Sequence, residues 1–320
     1  MFHRVRNHWR QFRPYERQRR KYKKIYPKRD IRQDKQYFIP REEPVFTCAT
    51  NDIFDCAEQE VVALLSKHNK VKTLDHEVEH LRKKFFHTKQ VQDGLAALLI
   101  QVPRAVLAQL QMDQHPHGYH DKHARLFELI DFNDTLTEVV IAMHDDDRRR
   151  FDSRVKEAAD RVCRRVGAPC FSNEQWEAIV RGLSREIAIY VAARDSGFDT
   201  AMGSRTQDAL GVDVQIRDPE SGRYINIDSK TPSAFRHRLE VLVDEGRLTT
   251  QELLAADERS YAVVHNGHGG RTVTLILLCI LPDLFGEVKD FEFVDPTPMR
   301  DMLNRLIRDH GLTDGMFGVS

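Results

Sequence analysis

The chain has 320 residues, of which 41% are hydrophobic and 31% charged, a composition that suits a soluble, cored globular protein rather than a disordered or membrane one. Lys and Arg number 49 and Asp and Glu 49, so the formal charge is zero and a uniformly basic chain is excluded. The balance is nevertheless uneven, because residues 1–35 hold 14 bases and three acids (Glu16, Asp30, Asp34), leaving 35 bases against 46 acids in the remainder.

The basic segment, "MFHRVRNHWRQFRPYERQRRKYKKIYPKRDIRQDK", interleaves cations with Phe2, Trp9, Phe12, Tyr15, Tyr22 and Tyr26. Cations neutralise phosphates and aromatic faces stack on bases, so Arg10, Arg13, Arg19, Arg20, Lys23 and Lys24 are candidate nucleic-acid contacts. A solvated tail, or an arm folded back on the acidic remainder, fits the same composition. No apolar signal segment opens the chain, and the longest apolar run noted, "VTLILLCIL" (Val273–Leu281), is too short to cross a bilayer. Five cysteines (Cys48, Cys56, Cys163, Cys170, Cys279) without a CxxC pair fit reduced thiols, and the expected location is the cytoplasm, with no membrane partner. A zinc site from the first four has the wrong spacings for a standard knuckle.

A Pro-punctuated link over residues 38–46 leads into a helical stretch. Apolar spacing predicts helices over Asp55–His68, over Val91–Met112 with a break near Pro103, and over Ala124–His144. Between the last two, "HPHGYHDKH" supplies His115, His117, His120 and His123; a metal site and an ordinary polar loop both fit. "DDDRRR" (Asp145–Arg150) reads as a solvated helix end.

From Ser172 the pattern changes. "NEQWEAIVRGLSREIAIYVAAR" predicts a long helix, and "GVDVQI" and "RYINIDSK" predict short strands joined by the turn "PESG". Two helices follow ("FRHRLEVLVDEG", "TTQELLAADE"), then two strands around a glycine-rich turn, then the helix "TPMRDMLNRLIRDHG". The C-terminal half is therefore expected to be α/β or α+β.

Strand periodicity puts Asn226, Asp228 and Lys230 on one face, with Asp213 and Gln215 facing oppositely to Val212, Val214 and Ile216. A hairpin closed by Pro219–Gly222 sets Ile216 on Ile225, Val214 on Ile227 and Asp213 across from Asp228. Opposed carboxylates repel, and a divalent cation between them inverts the sign of that interaction. On the preceding helix Glu186 falls inside the apolar arc with Ile179, Tyr190, Trp176 and Ile187, so it needs a partner; a metal or lysine supplies one, as does Arg181, Arg185 or Arg194.

Glu186, "GVD" with Asp213, and "IDSK" with Asp228 and Lys230 together resemble the PD-(D/E)XK nuclease superfamily over residues 172–285. Val212 stands where that pattern has its nominal proline. The resemblance implies a restriction-endonuclease-like α/β core, a central mixed sheet flanked by helices, behind a helical domain and a basic arm. The corresponding divisions are 1–45 (arm and linker), 46–168 (helical domain) and 169–320 (nuclease-like domain). It implies a magnesium-dependent nuclease hydrolysing phosphodiesters, in DNA foremost, with Mn²⁺ as a substitute and a homodimer allowed. Asp213 and Asp228 would hold the ion with the Ser229 carbonyl, Glu186 would bind it directly or through water, and Lys230 would position or deprotonate the attacking water. Thr231, Arg236, His237 and Arg238 are candidates for phosphate contact or for ordinary helix-start polarity. A non-catalytic nucleic-acid-binding protein with this fold, or a helical interaction protein, are the competing expectations.

Overall fold

The computed structural model describes residues 52–67, 75–88, 90–114, 127–204, 207, 210–268 and 271–313. All of them fall within one compact unit, Cys48–Ser320. The basic arm and the four-histidine loop lie outside the described residues.

The helical part comprises α1 (Ile53–Lys67), α2 (Asp75–Thr88), α3 (Val91–Asp113), α4 (Phe127–Ala142) and α5 (Asp145–Val166). Helix α3 packs against the other four and is the centre of this core, with Leu95 through Leu98, Ala105 and Val106 fully buried. The break expected at Pro103 does not occur: α3 runs through it. Proline removes one helical hydrogen bond, but Ile100, Val102 and Val106 lose about 2 kcal/mol each of burial if the helix bends away, so packing prevails. The same helix is long and apolar enough to cross a membrane by length and composition, which the sequence reading overlooked; 78% of that window is buried inside the protein. Its buried Asp93, Gln101 and Gln109 fit a helix surrounded by protein. Asp93 pairs with Lys84 at 2.6 Å and accepts from Thr88, while Gln101 donates to Ala97 O and Thr135. Cys56 is disulfide-bonded, so the expectation of reduced thiols throughout is corrected; Cys163, Cys170 and Cys279 are free.

Helix α6 (Asn173–Asp195) begins with a capping box, Ser172 accepting from Gln175 N while Gln175 accepts from Ser172 N. It has two buried sides. Trp176, Ile187 and Val191 belong to the helical core, whereas Ala188, Ile189, Ala192 and Ala193 pack on a sheet.

That sheet is mixed and five-stranded: β1 (Asp199–Met202), β2 (Val214–Arg217), β3 (Tyr224–Lys230), β4 (Tyr261–His268) and β5 (Arg271–Cys279), in the order β1-β2-β3-β5-β4. Only β3 and β5 are parallel. Helix α6 and the C-terminal α10 (Thr297–His310) cover one face, through Ile225, Ile227, Ile276 and Leu278. Helices α7 (Pro232–Asp244) and α8 (Thr250–Arg259) cover the other, through Phe235, Leu239, Leu275 and Leu277. Between β5 and α10 lie the short α9 (Pro282–Phe285) and a hairpin of β6 (Val288–Lys289) and β7 (Glu292–Phe293). The structure is thus a mixed sheet flanked by helices and preceded by a helical region. The register expected for β2 and β3 is present, with Val214 facing Ile227 and Ile216 facing Ile225.

Candidate functional site

The site is built at the end of β3. Asp228 and Lys230 occupy its last turns of pleat, on the side covered by α7, and Thr231 then caps α7 by accepting from Ala234 N. Because β3 and β5 are parallel, this is the carboxyl end of the parallel pair, where open α/β sheets bind ligands. Asn226, on the same face, is spent on structure: it accepts from Gln215 Nε2 and donates to Thr274 O.

Asp213 departs from the expected geometry. The β2 ladder stops at Val214, and the Asp213 N–H donates to Ile227 O, the residue that already faces Val214. One extra residue is thereby accommodated in a bend, as in a β-bulge. Val212 packs with α7 and Leu275, while Val214 and Ile216 pack with α6 on the opposite face, so the strict alternation expected for these three residues fails at Asp213. The carboxylate of Asp213 consequently reaches along the sheet edge, accepting from Ser229 N at 2.7 Å and Ser229 Oγ at 3.1 Å. Two glycines hold the bend. Gly203 donates to Asp213 O so closely that a Cβ would overlap the Val212 carbonyl oxygen, and Gly211 has φ +89° with a would-be Cβ 3.4 Å from Asp228 Oδ2. Asn266 Nδ2 secures the preceding loop by donating to Leu210 O at 2.7 Å.

Lys230 sits among the acids. Its ammonium donates to Asp228 Oδ1 and, at 3.1 Å, to Ser229 O. Its side chain is 29% exposed and that of Asp228 10%, so the pair is recessed yet reachable. Burial pulls the Lys230 pKa down, but Asp213, Asp228 and Glu186 together outweigh it, and the net direction is upward. Surrounded by these carboxylates alone, the lysine is an ammonium ion at neutral pH.

Helix α6 supplies the rest. Glu186 is half-buried and shares the helical phase of Ile189 and Ala193, which face the sheet. Arg185 shares the phase of Ile189 and Ala192; burial lowers its pKa while Glu186 and Asp213 raise it. Among the described residues Arg185 has no hydrogen bond or ion pair, so this half-buried guanidinium is uncommitted beside two carboxylates. Sequence reading weighed it only as a counter-ion to Glu186; the signal that singles it out is an arginine in phase with buried Ile189 and Ala192.

Glu186 and Asp213, distant in sequence from the end of β3, thus act with Asp228 on the Lys230 ammonium. Their carboxylates do not close around a common point: among the described residues no three His, Cys, Asp or Glu side chains are close enough to hold a metal ion. The donor chemistry, carboxylate oxygens and a carbonyl, suits a hard divalent cation, but the cation that these acids surround is Lys230. Of the phosphate candidates, Arg236 is committed to Asp257 at 3.0 Å on α8, and Arg238 has no ion pair among the described residues. Comparison with protein-family models, curated proteins and solved structures finds no match.

Proposed function

We propose that the chain is a divalent-cation-dependent phosphodiesterase acting on nucleic acid, DNA foremost, with a core of the restriction-endonuclease-like type. One observation carries the reading: at the carboxyl end of β3 Lys230 donates to Asp228 and to Ser229 O while Asp213 accepts from Ser229 N, and Glu186 acts on the same ammonium. Three carboxylates repel an anionic phosphodiester, so a substrate phosphate needs added positive charge there. Asp213 and Asp228, with the Ser229 carbonyl, would hold Mg²⁺ or Mn²⁺, and Glu186 would join directly or through water. Bound there, the ion would neutralise phosphate charge and acidify a coordinated water. Lys230 would position or deprotonate the attacking water and help stabilise the charge that builds on the phosphate. Arg185 binds a non-bridging phosphate oxygen, because it is recessed beside Glu186 and Asp213 and makes no hydrogen bond or ion pair among the described residues. Gly211 keeps the floor beside Asp228 free of a side chain.

The test is cleavage of plasmid DNA, single-stranded DNA and RNA with Mg²⁺ or Mn²⁺, for the wild type, Asp228→Ala and Lys230→Ala. Cation-dependent cleavage that both substitutions reduce by about a hundredfold or more supports the reading; undiminished cleavage in both removes these residues from the chemistry. The Lys230 ammonium already paired with Asp228 favours a second reading, a nuclease-like fold that binds nucleic acid without cutting it. Salt-sensitive binding by a wild type that never cleaves selects that alternative. Arg185→Ala separates binding from chemistry: as a phosphate contact it weakens affinity across sequences and lowers the salt slope by about one.

A further inference from the structure

Helix α5 ends at Gly167, whose left-handed backbone (φ 67°) reverses the chain, and Ala168 N donates back to Cys163 O at 2.9 Å. This closure returns residue 170 to the face of α5 carrying Asp160 and Cys163, one turn apart. There Cys170 Sγ meets Asp160 O at 3.8 Å, one helical turn from Cys163, and Cys170 lies near enough to the Cys163 thiol to act on it electrostatically. Both are free; Cys163 is 1% exposed, whereas Cys170 is half-buried and open to small reagents.

We propose that Cys163 and Cys170 are a redox-responsive dithiol that closes to an intramolecular disulfide across the turn between α5 and α6. Neither cysteine belongs to the candidate nuclease site, so the inference stands whether or not that reading does. Exposure orders the steps. The Cys170 thiolate attacks a peroxide oxygen, the O–O bond breaks, and hydroxide leaves and takes a proton to become water, giving Cys170 sulfenic acid. Cys163 then attacks that sulfur: the S–S bond forms, the S–O bond breaks, and the thiol proton leaves with hydroxide as a second water. Two thiols are oxidised by two electrons and one peroxide is reduced. Burial, with Cys170 and Asp160 adjacent, pushes the Cys163 thiol up to about 12. That keeps Cys163 from reacting with peroxide first and assigns it the resolving role. A dithiol reductant reverses the reaction.

Trypsin cuts after Arg164 and Arg165, between the two cysteines, so a bridge joins two peptides that otherwise separate. The full chain, treated with hydrogen peroxide, alkylated and digested without reductant, should yield the Cys163–Cys170 linked pair and lose two alkylatable thiols, with Cys279 still alkylated. Dithiothreitol should restore both thiols, and Cys170→Ser, at the half-buried position, should leave Cys163 alkylatable only after unfolding. Cys170 blocked against alkylation without the linked peptide, or Cys170 linked to Cys279, overturns the proposal. So does a linked pair that forms only after unfolding in urea, because the folded turn would then not present the thiols to each other.

Discussion

Lys230 and Glu60 are both recessed beside opposite charge and both have raised pKa values, with opposite consequences for stability at neutral pH. Lys230 is raised above its ordinary value and stays charged; that contribution to stability is present below the unfolded value of 10.5 and is lost only at higher pH. Glu60, on α1, is also raised: burial outweighs the pull of Lys84, which is 3.2 Å away, and Oε2 has no hydrogen-bond partner. The folded protein therefore holds the Glu60 proton above pH 4.5, where the unfolded chain has released it, so stability falls as pH rises through the folded value. Glu60→Gln should raise the midpoint of thermal unfolding at neutral pH, with the difference shrinking toward the acidic carboxylate range. Lys84 keeps Asp93 as a partner in that variant, so no buried lysine is orphaned. A Glu60→Gln protein that is less stable at neutral pH than at acid pH, relative to wild type, would show that the Lys84 pair outweighs desolvation.

Helix caps and strand ends follow local chemistry that the sequence displays openly in some places and conceals in others. Thr249 and Glu252 form a capping box at the start of α8, and the carboxylate of Glu252 is held below its ordinary range by the Thr249 N–H. Thr249→Ala should cost about 1 kcal/mol in denaturant unfolding. The pairing of β2 with β3 was legible because Ile216, Val214, Ile225 and Ile227 alternate cleanly on either side of the Pro219–Gly222 turn. Strand β1 was not, since Asp199–Met202 is short, lies at the sheet edge and offers no apolar alternation. The bend at Asp213 was equally hidden, because its cause is a tertiary contact, the approach of Gly203 to Val212. Gly203→Ala tests that cause: with Cβ overlapping the Val212 carbonyl, the bend must open. The variant should lose at least about 2 kcal/mol and, if the proposed function holds, its cleavage activity with it. Wild-type stability in Gly203→Ala would mean that the approach is not needed to shape the site.

Across the whole compact unit, the helical core and the sheet share more than the chain that joins them. Helix α6 gives Trp176 and Ile187 to one core and Ile189 and Ala193 to the other. A second junction is the β6–β7 hairpin, whose two-residue turn puts Asp290 and Phe291 at positive φ (50° and 67°). A bulky side chain at positive φ is costly, so something must hold it there. Phe291 inserts into the helical core edge-on to Phe151, with ring centroids 5.4 Å apart, and the adjacent Glu292 pairs with the buried Arg148 of α5. The expected solvated helix end at "DDDRRR" is thus solvated only in part: Asp145 and Asp146 are exposed, while Arg148, 3% exposed, ties α5 to the hairpin. Two shared elements predict one cooperative unfolding transition, with far- and near-ultraviolet circular dichroism and Trp176 fluorescence superimposing. Phe291→Ala removes the aromatic packing but leaves the positive φ, so it should cost about 3–5 kcal/mol. Phe291→Gly loses the same contact while relieving the backbone, and should recover about 1 kcal/mol of that cost. If the two variants are equally destabilised, the turn is not strained. If either splits the transition in two, the hairpin, rather than α6, is what makes the helical core and the sheet unfold together.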